Sequence, residues 1–288
     1  MHPRLSNVLQ RARILGTRLM GSHAQGRIQN PVFMIGCGRS GKSSLGNALA
    51  LHPDLTFLDE SRVLWIACFP CTDIWTEQAG QRGGRLRLDR GDANAHGAGV
   101  LSALFLRETK RTGKPRLMQA LAANSFRVEF LHQVFPDAKF IHVVRNGLSV
   151  AQEIAQRGDK QGWWGRRGYK WQQIAELASR SPDTAQALAL CENNFDRGLL
   201  EWRMSIEAIE SARTRLPNEQ FLEIRYEDIA ERPSESLERA REFIGLADDA
   251  LWERRALALM RRSHEPPRTT ARQKDLVIGG AVLKSRLV

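Results

Sequence analysis

PVFMIGCGRSGKSSLGNALA, residues 31–50, is the stretch that decides the fold. Its first six residues are apolar and end at Gly36, as a strand buried on both faces does. Gly36, Gly38 and Gly41 then fall within six positions. Leu45, Ala48 and Leu49 return at helical spacing, predicting a helix over 44–51 that His52-Pro53-Asp54 stops. A strand that turns through glycines into a helix points backbone N–H groups and the positive helix end at one spot, which suits an anion.

Residues 36–43 also fit the pattern G-x-x-x-x-G-K-[ST] in the context where it carries meaning, between a strand and a helix. Arg39 and Lys42 bring full charges to phosphate oxygens, Arg39 with a forked donor set. Ser40, Ser43 and Ser44 add hydroxyl donors. A Mg²⁺-dependent kinase or other NTPase is one reading of such a loop. It needs a metal on the Ser43 hydroxyl and an acid at the end of a second strand, and Asp59-Glu60 follows the apolar run 55–58.

Outward from the loop, strands are expected at 55–58, 116–121, 139–144 and 220–225. Helices are expected at 101–110, 125–135, 148–156, 185–212, 234–244 and 251–262. Residues 68–99 read as a long irregular surface excursion, 158–170 as a loop and 266–274 as an extended basic tail. Alternating strands and helices predict an α/β fold: a three-layer parallel sheet with helices on both faces, of the P-loop-like nucleotide-binding kind. The domain is expected over 31–288, behind an extension and linker over 1–30.

The 288 residues carry a formal net charge of +11, which implies an anionic partner. Residues 1–30 hold Arg4, Arg11, Arg13, Arg18 and Arg27 and no acid, while Leu5, Val8, Leu9, Ala12, Leu15 and Leu19 share one helical face. That describes a basic amphipathic helix, suited either to an anionic membrane surface through residues 1–20 or to packing on the domain. No apolar run is long enough to span a bilayer, and arginines interrupt every candidate signal-peptide core. Cys37, Cys68, Cys71 and Cys191 are too few for a disulfide framework and suit a reducing compartment; a cytoplasmic protein is expected, with peripheral membrane contact one of the two readings of its N-terminal helix. The C-x-x-C of Cys68 and Cys71 lacks two further ligands, so no metal site is expected. Nucleic acid is disfavoured because aromatics do not alternate with the basic residues. The oligomeric state is left open.

Residues 35–45, with Arg39-Ser40-Gly41 at their centre, also resemble the phosphosulfate-binding loop of PAPS-dependent sulfotransferases, including bacterial and tyrosylprotein-type members. His52-Pro53, Val143-Val144-Arg145-Asn146-Gly147 and Arg225-Tyr226-Glu227-Asp228 follow in that family's order, over roughly residues 31–245. Trp163–Trp171 and Glu201-Trp202 are similar to bacterial members. The resemblance implies a transfer of sulfuryl from PAPS to an acceptor hydroxyl on a carbohydrate, glycolipid, peptide or small metabolite, leaving PAP, with no metal. It implies that Gly38, Arg39, Ser40, Gly41, Lys42, Ser43 and Ser44 hold the 5′-phosphosulfate and that Arg145 holds the 3′-phosphate. Arg39 and Lys42 then stabilise the departing phosphate, Glu60 is the general base and Arg62 faces the acceptor. Two positions depart from the family. Lys42 stands where threonine is usual. Glu153, eight residues after Arg145, stands where serine is usual, which leaves Ser149 or Gln152 to contact the 3′-phosphate. Residues 61–100 and 158–180 are expected to shape the acceptor pocket, and His142 reads as core. Arg268, Arg272 and Lys274 fall where relatives cover the nucleotide, or form a solvated basic run. A relative that keeps the fold but binds a nucleotide or a membrane surface without catalysis is a further reading of the same residues.

Overall fold

The computed structural model describes Gly16 and residues 26–158, 162–260 and 270–286. Five strands form one sheet: β1 (Val32–Ile35), β2 (Leu55–Asp59), β3 (Arg116–Ala120), β4 (Lys139–Val144) and β5 (Phe221–Arg225). Their order is β2-β3-β1-β4-β5 and every pairing is parallel. The chain builds β2 and β3 on one side of β1, then crosses to build β4 and β5 on the other. The carboxyl end of β1 therefore opens at a topological switch point, where open parallel sheets bind their ligands.

The helices in chain order are α1 (Lys42–Leu49), α2 (Arg62–Cys68), α3 (Ala95–Thr112), α4 (Val128–Val134), α5 (Gly147–Arg157) and α6 (Tyr169–Ala178). They continue as α7 (Pro182–Ala189), α8 (Asn194–Arg213), α9 (Tyr226–Glu231), α10 (Pro233–Ile244), α11 (Ala250–Met260) and α12 (Gln273–Ser285). Strand alternation sorts them into two layers. Phe33 and Ile35 of β1 face one core with Trp65, Phe105, Phe130 and Trp202. Val32 and Met34 face the other with Leu45, Leu49, Leu237 and Trp252. Phe33 lies 5.6–6.5 Å from the rings of Trp65, Phe105, Phe135 and Phe140, so one β1 side chain anchors an aromatic cluster. Each such side chain contributes about 1.5–3 kcal/mol by leaving water. Two cores around one parallel sheet make the three-layer α/β fold expected from the alternation.

Several boundaries differ from the sequence reading. The helix after the glycine loop begins at Lys42 rather than residue 44, so Ser43 and Ser44 sit in its first turn. The single helix expected over 185–212 is two, α7 and α8. Asn193 ends the run between them because its side chain accepts from the amides of Phe195 and Asp196 and caps α8. The loop expected to run to 170 ends earlier, since Tyr169 opens α6. Of the tail expected to be extended over 266–274, Arg272 precedes and Lys274 lies within α12, a helix not expected from the sequence, while 266–269 lie outside the described residues.

Residues 68–99 are not a loose excursion. Ile74, Leu86 and Leu88 are buried in the first core. Asp73 accepts from the amides of Trp75 (3.1 Å) and Thr76 (3.0 Å), and α3 already begins at Ala95. The basic helix expected at the N-terminus, with Arg4, Arg11, Arg13 and Arg18, lies outside the described residues, as does Arg268. Among the described residues no helix is long and apolar enough to cross a membrane.

His142 is buried in the sheet, as read from the sequence, and its register partner on β5 is Glu223. Their side chains meet at 3.0 Å, and Arg286 at the end of α12 reaches the other Glu223 oxygen at 3.2 Å. Burial pushes the His142 pKa down. The hydrogen bond from His142, aided by Arg286, takes the Glu223 carboxyl from 4.5 to about 2. A carboxyl depressed on folding stabilises the native state above its unfolded pKa, and that contribution fades as pH falls through the folded value. Glu223→Gln is therefore expected to cost about 1–2 kcal/mol at pH 7. Thermal melts of both proteins should converge as pH drops from 4.5 towards about 2. A gap that persists unchanged to pH 2 would rule out this ionisation as its source.

Candidate functional site

The carboxyl ends of β1, β2 and β4 open into a cleft of ≈ 790 Å³. Its floor is the glycine loop. Gly36 takes φ +130° and Gly41 φ +97°, and a side chain on Gly36 would strike the Val143 carbonyl at 2.3 Å. Only glycine lets the chain turn there. The first-turn amides of α1 have no intrahelical partner, and their N-cap, Gly41, has no side chain to cap them. Gly38, Arg39, Gly41, Lys42, Ser43 and Ser44 all line the cleft, so uncapped amides and the positive helix end face it.

Two aromatic rings close over the loop. Trp163 packs against Gly38 and Tyr226 against Gly41, each so near that a Cβ would fall 2.2 or 2.1 Å from the ring. Both rings also line the cleft. Trp163 is fixed by its indole N–H, which donates to Glu201 at 2.9 Å. Glu201 in turn accepts from Lys170 at 2.6 Å, and the Lys170 ammonium lies 4.4 Å from the centre of the Trp163 ring. The next residue, Trp202, donates to the Arg145 carbonyl at 3.0 Å. One dipeptide of α8 thus holds both walls of the cleft. Read from the sequence, Glu201 has no role beyond its resemblance to bacterial relatives.

The cations named from the sequence take different positions. Arg145 is buried, with its guanidinium 4.4 Å from the Tyr226 ring centre and Nη1 donating to the Arg39 carbonyl at 3.1 Å. Arg39 holds φ +71°, a conformation that side chains rarely adopt. Its Nε and Nη2 both donate to Glu153, at 2.8 and 2.5 Å, and Arg145 Nη1 donates to the other Glu153 oxygen. The Lys42 ammonium turns under the loop and donates to the carbonyls of Gly36 and Cys37, each at 2.7 Å. Burial pushes its pKa down. The charge that the sequence aims at phosphate therefore also braces the loop from below.

Glu60 and Arg62 sit together at the far lip. Glu60 follows β2 directly with φ +47°, the second cleft residue other than glycine, after Arg39, at positive φ. Its amide donates to Ala120 at 2.9 Å and its Oε1 accepts from the Ala122 amide at 3.2 Å. Arg62 donates twice to Oε2, at 3.0 and 2.8 Å, and lies 4.4 Å from the centre of the Trp75 ring. Such outliers cost about 1–3 kcal/mol each and gather at functional sites. Glu60 remains about two-fifths exposed, so an acceptor can reach it.

Other expected residues stand apart. Ser40 is buried beneath the loop, and Ser149 is buried on the first turn of α5 with its amide held by Asn146. Neither lines the cleft. Arg272 pairs with Asp275, and Lys274 with Glu192 and Asp196, away from it. Glu227 accepts from the Asn146 amide at 2.8 Å, so the 225–228 segment props up the strand end bearing Arg145. Trp75, from the segment expected to shape the acceptor pocket, lines the cleft, and so do Asn47, Gln156, Arg157 and Leu259, which were not foreseen. Only three-dimensional proximity marks them, because no motif connects them to the loop.

A family model described as the sulfotransferase family matches residues 31–250. Among solved structures, a sulfotransferase from Mycobacterium avium aligns with a TM-score of 0.54 and 16% identity, covering 94% of this chain and 79% of that one. A sulfotransferase from Mycobacterium tuberculosis aligns at 0.51 and 14%, covering 98% and 85%. The sulfotransferase domain from the curacin biosynthetic pathway aligns at 0.51 and 16%, covering 79% and 77%. No curated protein matches the sequence. At these identities the structural likeness concerns the fold alone.

Proposed function

The chain belongs to the sulfotransferase family, and from that premise we propose that its cleft takes PAPS and moves the sulfuryl group to an acceptor hydroxyl. The observation that carries this reading is the uncapped first turn of α1, facing the same cleft as Arg39, Arg145 and Glu60. The residues suit an anionic nucleotide. The amides from Gly38 to Ser44 and the Ser43 and Ser44 hydroxyls hold the 5′-phosphosulfate, with Arg39 above them. Arg145, fixed by Trp202 and Tyr226, stands beside them for a second phosphate.

In this reading Glu60 takes the proton of the acceptor hydroxyl as its oxygen bonds to sulfur and the bond from sulfur to the phosphate oxygen breaks. PAP leaves with the electron pair. The amides and Arg39 stabilise charge building on the phosphate, and their alignment before the reaction is what makes them effective. Lys42 acts from beneath: its bonds to the Gly36 and Cys37 carbonyls hold the loop in shape. Arg62 keeps Glu60 oriented and stacks on Trp75, and in this reading the acceptor approaches on that side of the cleft. The acceptor is a hydroxyl of a carbohydrate, glycolipid, peptide or small metabolite.

Thermal melting with PAP, against ATP plus Mg²⁺, tests the reading. A ligand at a hundredfold its Kd stabilises the native state by about 2.7 kcal/mol, which raises Tm by several degrees in a chain of this size. PAP is expected to raise Tm without metal. A rise with ATP that requires Mg²⁺, and none with PAP, would return the loop to the kinase reading.

A further inference from the structure

Glu153 is the one acid among the cleft-lining side chains whose carboxylate joins the two arginines assigned to the donor. It projects from the second turn of α5. Its Oε2 accepts two charge-assisted hydrogen bonds from Arg39, from Nε and from Nη2. Its Oε1 accepts from Arg145. Burial raises the carboxyl, but the hydrogen bonds and charges of Arg145 and Arg39 outweigh it and hold Glu153 below the usual carboxylate range. It is an anion at neutral pH, and its partner Arg145 is 7% exposed. An incoming phosphate at Arg145 meets an ionised carboxylate already occupying the same donors. It must either displace that carboxylate or share the arginine with a like charge.

Resting on the nucleotide reading above, we infer that Glu153 is a specificity-determining residue: an internal carboxylate that fills the second phosphate subsite and weakens selection for the nucleotide's 3′-phosphate. The carboxylate acts on the 3′-phosphate more than on the 5′ end, because the 5′ end keeps the amides of α1 and Arg145 has no such substitute. Binding the full donor then includes a step that a serine-bearing cleft lacks: the Glu153 side chain leaves Arg145.

The test is calorimetric titration of wild type, Glu153→Ser and Glu153→Gln with PAP and with adenosine 5′-monophosphate. The glutamine variant keeps the shape and an accepting oxygen while removing the charge, and circular dichroism confirms that each protein is folded. Wild type is expected to prefer PAP by less than about tenfold, and both variants to raise that preference by about tenfold or more, chiefly through tighter PAP. Using the ratio cancels any effect of freeing Arg39 that both nucleotides share. If wild type binds PAP and neither variant changes the ratio, Glu153 does not set this specificity and the nucleotide reading stands. If the variants bind PAP more weakly, Glu153 supports the subsite and the inference is overturned. If neither nucleotide binds any of the three folded proteins, the nucleotide reading falls and takes the inference with it.

Discussion

Replacing Glu60 by glutamine is expected to lower kcat by about 10²–10⁴-fold, the usual worth of a positioned general base. The substitution removes the ability to take a proton and little else. Glutamine keeps an oxygen for the Ala122 amide, and the backbone bond to Ala120 is untouched. Because Glu60 is about two-fifths exposed and its bonds to Arg62 lie at the surface, stability should change by less than about 1 kcal/mol. The donor sits on the other side of the reacting centre, so its KM should hold. The measurement is steady-state transfer of radiolabelled sulfate, using the best wild-type acceptor from a panel of carbohydrate, glycolipid, peptide and small-molecule hydroxyls. A fall in kcat with constant Tm and donor KM fits a base. A glutamine variant as fast as wild type would remove Glu60 from the chemistry and leave it as the Arg62 partner alone. A variant that loses donor binding in parallel would mark it as part of the nucleotide subsite.

The β1–loop–α1 unit was legible in the sequence because everything that determines it is local. Gly36 and Gly41 supply positive φ, the strand is apolar throughout, and α1 carries its own helical spacing. Arg145 was legible for a similar reason, standing just beyond a strand of β-branched and aromatic residues. Glu153 was legible as a departure, but its grip on Arg39 was not. That contact joins residues 114 apart, and nothing in either neighbourhood announces it. The Lys42 ammonium shows the limit of a motif. The pattern fixes where the backbone goes, while burial and two nearby carbonyls decide where the charge ends up. α12 escaped notice because its apolar spacing is broken by Gly279 and Gly280, the latter at φ +59°. A side chain at Gly280 would meet Arg203 at 2.7 Å, so the helix is shaped by what it docks on.

The segment 68–99 escaped for the reason that makes it the most vulnerable part of the cleft. It has little regular structure of its own, and Arg127 takes that role. This side chain is fully buried and donates to the carbonyls of Leu86 (3.0 Å), Thr72 (2.9 Å) and Arg85 (2.8 Å). No carboxylate among the described residues hydrogen-bonds it, and burial pulls its pKa down to about 10, so it stays charged at neutral pH. A buried charge that carbonyl dipoles bond directly, with Asp73 and Asp92 acting on it only without a hydrogen bond, is costly, and removing it relieves that cost. Removing it also strips donors from two buried carbonyls, each worth about 1–3 kcal/mol, and from the part-buried carbonyl of Arg85, and leaves a void that methionine fills only in part. The carbonyl losses outweigh the relief, because the segment cannot re-pair its backbone without leaving the core. Arg127→Met is therefore expected to lose about 3–5 kcal/mol of stability. The loss should fall locally as well as globally. Trp75 belongs to this segment, its ring carries Arg62, and Arg62 orients Glu60. Under conditions where the variant is still folded, acceptor KM should rise and hydrogen exchange should quicken over 70–90, while PAP affinity stays near wild type because the α1 floor is untouched. A variant that melts with wild type and keeps exchange protection over 70–90 would show that the buried side chains Ile74, Leu86 and Leu88 hold the segment without Arg127.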